Sequence, residues 1–166
     1  MTRKHALAAA SMLLVLAVVA VAGDAAAQGA KSLVGTWTIV TSDTIDESGK
    51  RTPTFGPNPR GLLVFTADGR YSLVLARTTL PKFASNNRTT GTPNENQTIV
   101  AGSLAHFGKY TADDKKFTFQ VETSTFPNWD GTTQERPYTV TSEELKYSTA
   151  AASGGGRAEL VWKRVK

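Results

Sequence analysis

The sequence of 166 residues contains no cysteine. This absence excludes disulfide bonds, thiolate metal sites and a cysteine nucleophile. Histidine is scarce as well, with only two copies, His5 and His106, so a zinc site that needs several imidazoles is not expected. Aromatic residues make up only 8% of the chain, and their positions therefore matter more for the fold and the site than their number.

Several sequence signatures of known chemistry are missing too. The glycine run at 154–156 is not followed by Gly-Lys-Ser/Thr and is therefore no phosphate loop. No Gly-x-Ser-x-Gly segment marks a hydrolase nucleophile. The net charge is +5, but most basic residues are scattered, and no helix-turn-helix or RNA-binding signature is present. We therefore expect no cofactor, no bound metal and no nucleic-acid partner.

The N-terminus has the pattern of an export signal. Arg3 and Lys4 precede an apolar stretch at residues 6–22, and Ala25 and Ala27 form a small-x-small cleavage pattern. The sequence predicts a signal peptide over residues 1–27 and one mature domain over residues 28–166. We expect the mature protein to be exported, periplasmic or extracellular, without a stable membrane anchor after cleavage.

The rest of the chain has the pattern of short strands joined by turns. In the clearest segment, Phe117, Phe119 and Val121 alternate with polar residues, which predicts one face in a core and one in solvent. Asp68 and Gly69 lie between two apolar runs and predict a tight hairpin. Eight candidate strands result, at residues 31–42, 62–66, 71–77, 104–111, 117–123, 134–141, 144–149 and 157–165.

This pattern predicts an all-β fold, an eight-stranded antiparallel up-and-down barrel whose closure removes exposed sheet edges. A two-sheet sandwich is the alternative that the same pattern permits. Thr92 and Pro93 begin a short helix that ends near Gly102, because Thr92 can cap the helix and Pro93 suits its first turn. This helix is too short to span the domain, and we expect it to cover one end of the barrel.

Five segments carry motifs that belong together. They are Leu-Val-Gly-Thr-Trp at 33–37, Phe-Gly-Pro-Asn-Pro-Arg-Gly at 55–61, Phe-Pro-Asn-Trp-x-Gly at 126–131, Gln-x-Arg-Pro at 134–137 and Leu-Val-Trp-x-Arg-Val at 160–165. In order and spacing they resemble the bacterial lipocalin-like domain family. The resemblance implies a lipocalin-like barrel, but no particular ligand or reaction. In lipocalins an arginine near the last strand stacks over the tryptophan of the first, which gives Trp37 and Arg164 structural roles.

Two predicted strands place polar side chains on an otherwise apolar face. Tyr71 and Arg77 share a face with two leucines, and Arg136 shares one with Tyr138. If these faces point inward, the arginines suit an amphipathic ligand with a carboxylate or enolate head. The alternative is that both arginines pair with carboxylates at the rim and serve only structure. His106 and Trp129 are further candidates. Alternation does not decide whether His106 points into the barrel, and Trp129 lies in a loop. The candidate ligand-binding residues are Tyr71, Arg77, His106, Trp129, Arg136 and Tyr138.

Three functions are open to such a barrel. We expect it to bind a small hydrophobic or amphipathic molecule in its interior, because the sequence holds no catalytic constellation. An alternative is an isomerase or cyclase acting on a hydrophobic substrate in the same cavity, where His106, the two arginines and Tyr138 supply an electrophile and an acid or base. A third is a filled structural barrel whose outer surface binds another envelope protein.

Overall fold

The computed structural model describes residues 29–166, which form nine strands and three short helices. The elements follow in the order α1 (29–33), β1 (Gly35–Ile45), β2 (Arg51–Pro53), β3 (Arg60–Phe65), β4 (Arg70–Ala76), α2 (Pro93–Gly102), β5 (Ser103–Ala112), β6 (Lys116–Ser124), a 3₁₀ helix (Pro127–Trp129), β7 (Thr133–Val140), β8 (Glu144–Thr149) and β9 (Arg157–Arg164). The predicted signal peptide over residues 1–27 lies outside the described residues. Within residues 29–166 no helix is both long and apolar enough to cross a membrane.

Antiparallel pairing closes the sheet into a barrel. From β3 to β9 each strand pairs with the one that follows it, and β1 pairs with both β3 and β9. Eight strands therefore form a ring, while β2 is an additional strand that pairs with the end of β1. The predicted eight-stranded barrel is confirmed, and the alternative of a two-sheet sandwich is wrong.

The first strand departs from the sequence prediction at both ends. Residues 31–33, predicted as strand, are helical, and Leu33 is fully buried there. At the other end β1 continues to Ile45 and pairs with β2, in a segment for which the sequence predicted no strand. A bulge between Ile39 and Thr41 turns Ser42 toward the interior, so simple alternation fails halfway along β1.

Trp37 and Arg164 close the base of the barrel, which is the end where α1 lies. The guanidinium carbon of Arg164 is 4.0 Å from the centre of the Trp37 ring. The indole Nε1 donates a hydrogen bond of 2.9 Å to the carbonyl oxygen of Leu33. Position 35, beside the Arg164 guanidinium, requires glycine. Its φ is +134°, and a Cβ there would lie 2.7 Å from Nη1 of Arg164.

Backbone oxygens surround the Arg164 guanidinium on its other sides. Nη1 donates to the carbonyl oxygen of Val34 and Nη2 to that of Ser32, each at 2.7 Å, and Nε donates to the carbonyl oxygen of Ser142 at 2.8 Å. All three nitrogens are therefore bonded, and the cation fastens α1 to the last strand. Charge-assisted hydrogen bonds of this kind are stronger than neutral ones.

Aromatic rings fill the part of the barrel nearest this base. The Phe65 ring contacts Tyr110, Phe117 and Phe119, with centroid separations of 4.7, 5.5 and 6.0 Å. Rings of this size remove large apolar areas from water and dominate the energetics of a small core. The buried aromatic side chains are Trp37, Phe55, Phe65, Tyr71, Tyr110, Phe117, Phe119, Tyr147 and Trp162. The dense packing at the base leaves the opposite end of the barrel for a cavity.

Helix α2 has the N-terminal cap that its sequence predicts. The Thr92 hydroxyl accepts a hydrogen bond from the Glu95 N–H at 3.3 Å, and the Glu95 carboxylate accepts one from the Thr92 N–H at 2.7 Å. Gly102 is buried, but the other residues of α2 are exposed or half-buried. None of them lines the cavity described below.

Replacing Arg164 by methionine should destabilise the protein by about 3 to 5 kcal/mol, because three backbone oxygens lose a charged donor and Trp37 loses its cation. Urea denaturation measures this as a lower free energy of unfolding. The matched control is Lys163→Met, since the neighbouring side chain is exposed and its loss should cost less than about 0.5 kcal/mol. Equal effects of the two substitutions would contradict the structural role of Arg164.

Candidate functional site

A cavity lies at the end of the barrel opposite the Trp37 base. Its volume is about 50 Å³, and it opens to solvent at one side. Its walls come from every strand of the ring except β3, from the 3₁₀ helix, and from the loops after β2 and β8. The lining residues are Ser42, Thr54, Phe55, Leu73, Leu75, Leu104, His106, Phe119, Trp129, Arg136, Tyr147, Thr149, Ala152, Ser153, Ala158 and Leu160.

Two neighbouring strands bring the first polar pair together. Tyr71 lies on the inward face of β4. On β5, where the sequence left the inward face open, His106 and Tyr110 are buried while Phe107 is 43% exposed. The hydroxyl oxygen of Tyr71 and Nδ1 of His106 are 2.9 Å apart and share a hydrogen bond. The pair therefore bridges β4 and β5 inside the barrel.

Aromatic rings hold this imidazole on several sides. The ring centres of Phe119 and Trp129 lie 5.5 and 5.6 Å from that of His106, both nearly perpendicular to it. Phe119 also stacks on Tyr71 at 3.8 Å. The 3₁₀ helix after β6 places Trp129 at the mouth, where it stays half-buried. His106 is thus oriented by packing as well as by its hydrogen bond.

Burial keeps both members of the pair neutral. It lowers the pKa of His106 to about 4, with the positive charge of Arg136 as the second cause. Burial also raises the pKa of Tyr71 well above its usual value. At neutral pH the pair can therefore offer a ligand hydrogen bonds, but no charge.

Arg136 is the one cationic side chain among the lining residues, and no aspartate or glutamate lines the cavity. It is only 6% exposed and forms no ion pair with any residue in 29–166. Its Nη1 donates to the carbonyl oxygen of Glu135 at 2.9 Å, and Nη2 donates to Oε1 of Gln134. Burial lowers the pKa of Arg136, yet a guanidinium stays charged at neutral pH. The alternative in which Arg136 pairs with a carboxylate is therefore not found among residues 29–166.

Two of the predicted ligand-binding residues lie outside the cavity. Arg77 comes after the end of β4, and its exposed side chain borders a groove on the outer surface. Tyr138 faces the packed base, where its hydroxyl donates a hydrogen bond of 2.6 Å to the carbonyl oxygen of Asp113 and its ring lies 5.5 Å from Phe117. The predicted residues that meet in or beside the cavity are Tyr71, His106, Trp129 and Arg136.

Sequence reasoning missed several lining residues. Tyr147 and Thr149 are buried on alternate positions of β8, and this alternation was a usable signal. Phe55 lies between β2 and β3 and is only 6% exposed, although its proline-rich surroundings have no periodicity that would reveal it. Among the residues that the structure describes, no group of three or more histidine or acidic side chains is placed to hold a metal ion.

One family model and two known proteins resemble this chain. The family model described as a lipocalin-like domain matches residues 34–165, a range that holds all nine strands and every lining residue, and it confirms the resemblance drawn from the motifs. The 4'-hydroxy-3'-methoxypropiophenone carrier protein ppsC of Aspergillus oryzae is 30% identical over an alignment of 97 positions, which covers 51% of this chain and 87% of that protein. A lipocalin-like protein from Bacteroides uniformis aligns with a TM-score of 0.46 and 12% identity, over 81% of this chain and 99% of that one.

The lowered pKa of His106 makes the stability depend on pH. Between pH 6.5 and about 4 the unfolded chain binds a proton at His106 that the folded protein excludes. Stability is therefore fully present above pH 6.5 and falls by about 3 kcal/mol as the pH drops to 4. Urea denaturation of the wild type and of His106→Asn over this range should show the gap between their free energies shrinking toward acid pH. A gap that stays constant would contradict the buried, neutral imidazole.

Replacing Arg136 by methionine should raise the free energy of unfolding by about 1 to 4 kcal/mol, because the variant removes a buried cation that has no counter-ion and keeps an unbranched chain in its place. Urea denaturation of both proteins at pH 7 measures the change. Arg77→Met is the matched control, since Arg77 is exposed and should change stability by less than about 0.5 kcal/mol. A clear destabilisation by Arg136→Met would contradict this expectation and would mean that Arg136 stabilises the fold.

Proposed function

The chain belongs to the lipocalin-like domain family, and we propose that it binds a small aromatic molecule in the open end of its barrel. The observation that carries this proposal is the cavity itself. Trp37 and Arg164 seal one end of the barrel, while the other opens to solvent between apolar walls with His106 and Arg136 buried among them. Concave, mostly apolar sites with a few polar groups are the usual form of small-ligand pockets.

The wall chemistry favours an aromatic ligand. Trp129 lies at the mouth, and Phe119 and Tyr147 lie deeper in the lining. Offset stacking or edge contacts between rings contribute about 0.5 to 1.5 kcal/mol each beyond the area they bury. A flat ring therefore gains more from these walls than an aliphatic chain of the same surface area.

The available space limits the ligand to about one ring. The cavity volume of about 50 Å³ is far below the ~300–1,000 Å³ of ordinary ligand pockets. The ring must then lie in the mouth, with its polar end directed into the cavity. Trp129 is the side chain we expect to turn outward, because a loop element carries it and it is already half-exposed.

The fungal relative supports this class of ligand. Its name describes a carrier of 4'-hydroxy-3'-methoxypropiophenone, a single aromatic ring with a ketone and a ring hydroxyl. We further propose that the present chain acts outside the cytoplasm, because residues 1–27 have the pattern of an export signal.

Titration calorimetry with 4'-hydroxy-3'-methoxypropiophenone as the probe tests the proposal. We expect saturable binding to the wild type. Ala158→Leu should weaken it by at least about tenfold, since Ala158 lines the cavity and a larger side chain there occupies the space that the ligand needs. The expected sign is the same for any single-ring ligand of this class.

The matched control is Ala105→Leu, which adds the same side chain to the outer face of β5, where Ala105 pairs with Val74. This variant should bind the probe as the wild type does, and thermal melts of all three proteins show whether each is folded. Undetectable binding to the wild type, or equal binding by Ala158→Leu, would remove the open end of the barrel as the ligand site.

A further inference from the structure

Arg136 is the one buried arginine among residues 29–166, and its charge has no counter-ion there. Arg70 pairs with Glu122 at 2.7 Å on the surface, and the Arg164 guanidinium donates to three backbone oxygens. Arg136 is more deeply buried than either of them. The feature that needs an explanation is a desolvated cation in a cavity without acidic side chains.

The Arg136 guanidinium also has N–H groups that are available to bind a ligand. It has five N–H groups, and within residues 29–166 its hydrogen bonds go to one backbone oxygen of Glu135 and one amide oxygen of Gln134. Both acceptors are neutral, so they satisfy hydrogen bonds but do not compensate the charge. A desolvated charge without a counter-charge costs several kcal/mol of stability. A binding site can keep such a residue when the bound ligand supplies the counter-charge.

We propose that the aromatic ligand binds as an oxyanion, either a ring carboxylate or an ionised ring hydroxyl, paired with Arg136. This inference rests on the proposed function, since it needs a ligand in the same cavity. The planar guanidinium matches the geometry of a carboxylate and can hold it with two parallel hydrogen bonds.

The surroundings of Arg136 favour an anion over a neutral head group. No acidic residue lines the cavity to repel one. His106 and Tyr147 line the same space, and Tyr71 is bonded to His106 behind it. All three are neutral at pH 7, because burial lowers the pKa of the imidazole and raises those of both phenols. The Arg136 cation also lies 5.9 Å from the centre of the Phe119 ring, which keeps it beside the wall on which a ligand ring would stack.

A pair of probes with one shape and two charges tests the oxyanion. 4-Hydroxy-3-methoxybenzoate is an anion at pH 7, and its amide is neutral. In calorimetric titrations we expect the benzoate to bind the wild type about 10- to 100-fold more tightly than the amide. Arg136→Met should bind both equally, and Arg77→Met should keep the wild-type preference, because Arg77 is exposed and borders a different groove.

A pH series distinguishes the two sources of the oxyanion. If the ionised ring hydroxyl is recognised, the affinity of the wild type for 4'-hydroxy-3'-methoxypropiophenone rises as that hydroxyl ionises, and the rise is absent in Arg136→Met. Equal binding of benzoate and amide, together with pH-independent binding of the ketone, overturns the oxyanion but leaves the aromatic site standing. Failure of all three probes to bind the wild type overturns both proposals.

A measurement on the wild type alone covers the case in which Arg136→Met does not fold. An anion beside Arg136 offsets the positive charge that acts on His106, so saturation with the benzoate should raise the pKa of His106 from about 4. The nitrogen chemical shifts of the imidazole follow this titration, and the amide should leave it unchanged. An unchanged titration of His106 in the benzoate-saturated protein contradicts pairing at Arg136.

Discussion

The pairing of β1 with β9 is the constraint on which the rest of the barrel depends. β1 is bonded to β3 at its start and to β9 along most of its length, so it is the strand at which the sheet becomes a ring. Closure fixes the register of each strand, and a shift of one residue would move every side chain to the opposite face. The inward positions of His106 and Arg136 therefore depend on a seam that neither residue touches. Trp37 and Arg164 are register partners across that seam, and their contact fixes both the closure and the sealed base.

The two ends of the barrel use the same residue type in opposite ways. At the base, three backbone oxygens and an indole ring contact the half-buried guanidinium of Arg164. At the open end, Arg136 has neutral acceptors and an empty space beside it. We expect the first arrangement to stabilise the fold and the second to cost stability, because Arg136 has no counter-ion among residues 29–166. The tight aromatic packing around Phe65 at the base contributes stability that offsets this cost.

The limits of sequence reasoning follow from what alternation measures. Period-two patterns report which residues of a strand share a face, and this was enough to predict the eight-stranded ring and to group Tyr71 with the leucines of β4. They do not report depth along the barrel axis. Tyr138 shares the face of Arg136 but lies at the base, and Arg77 continues the pattern of β4 after the strand has ended. Bulges add a second failure, because Ser42 reaches the cavity only after the irregularity in β1 shifts the pattern.

The lone cation links ligand binding to the stability of the barrel. Any molecule that binds only the folded state stabilises it, and the gain grows with concentration relative to the dissociation constant. An oxyanion at Arg136 would contribute to affinity twice, through its own hydrogen bonds and through removal of the cost that the empty cavity carries. A neutral ring contributes only through the walls, where Phe119 and Trp129 stack against it. In the proposed binding mode, one buried side chain, Arg136, discriminates charged from neutral ligands, whereas the aromatic walls select the ring. The two selections are separable because they depend on different side chains.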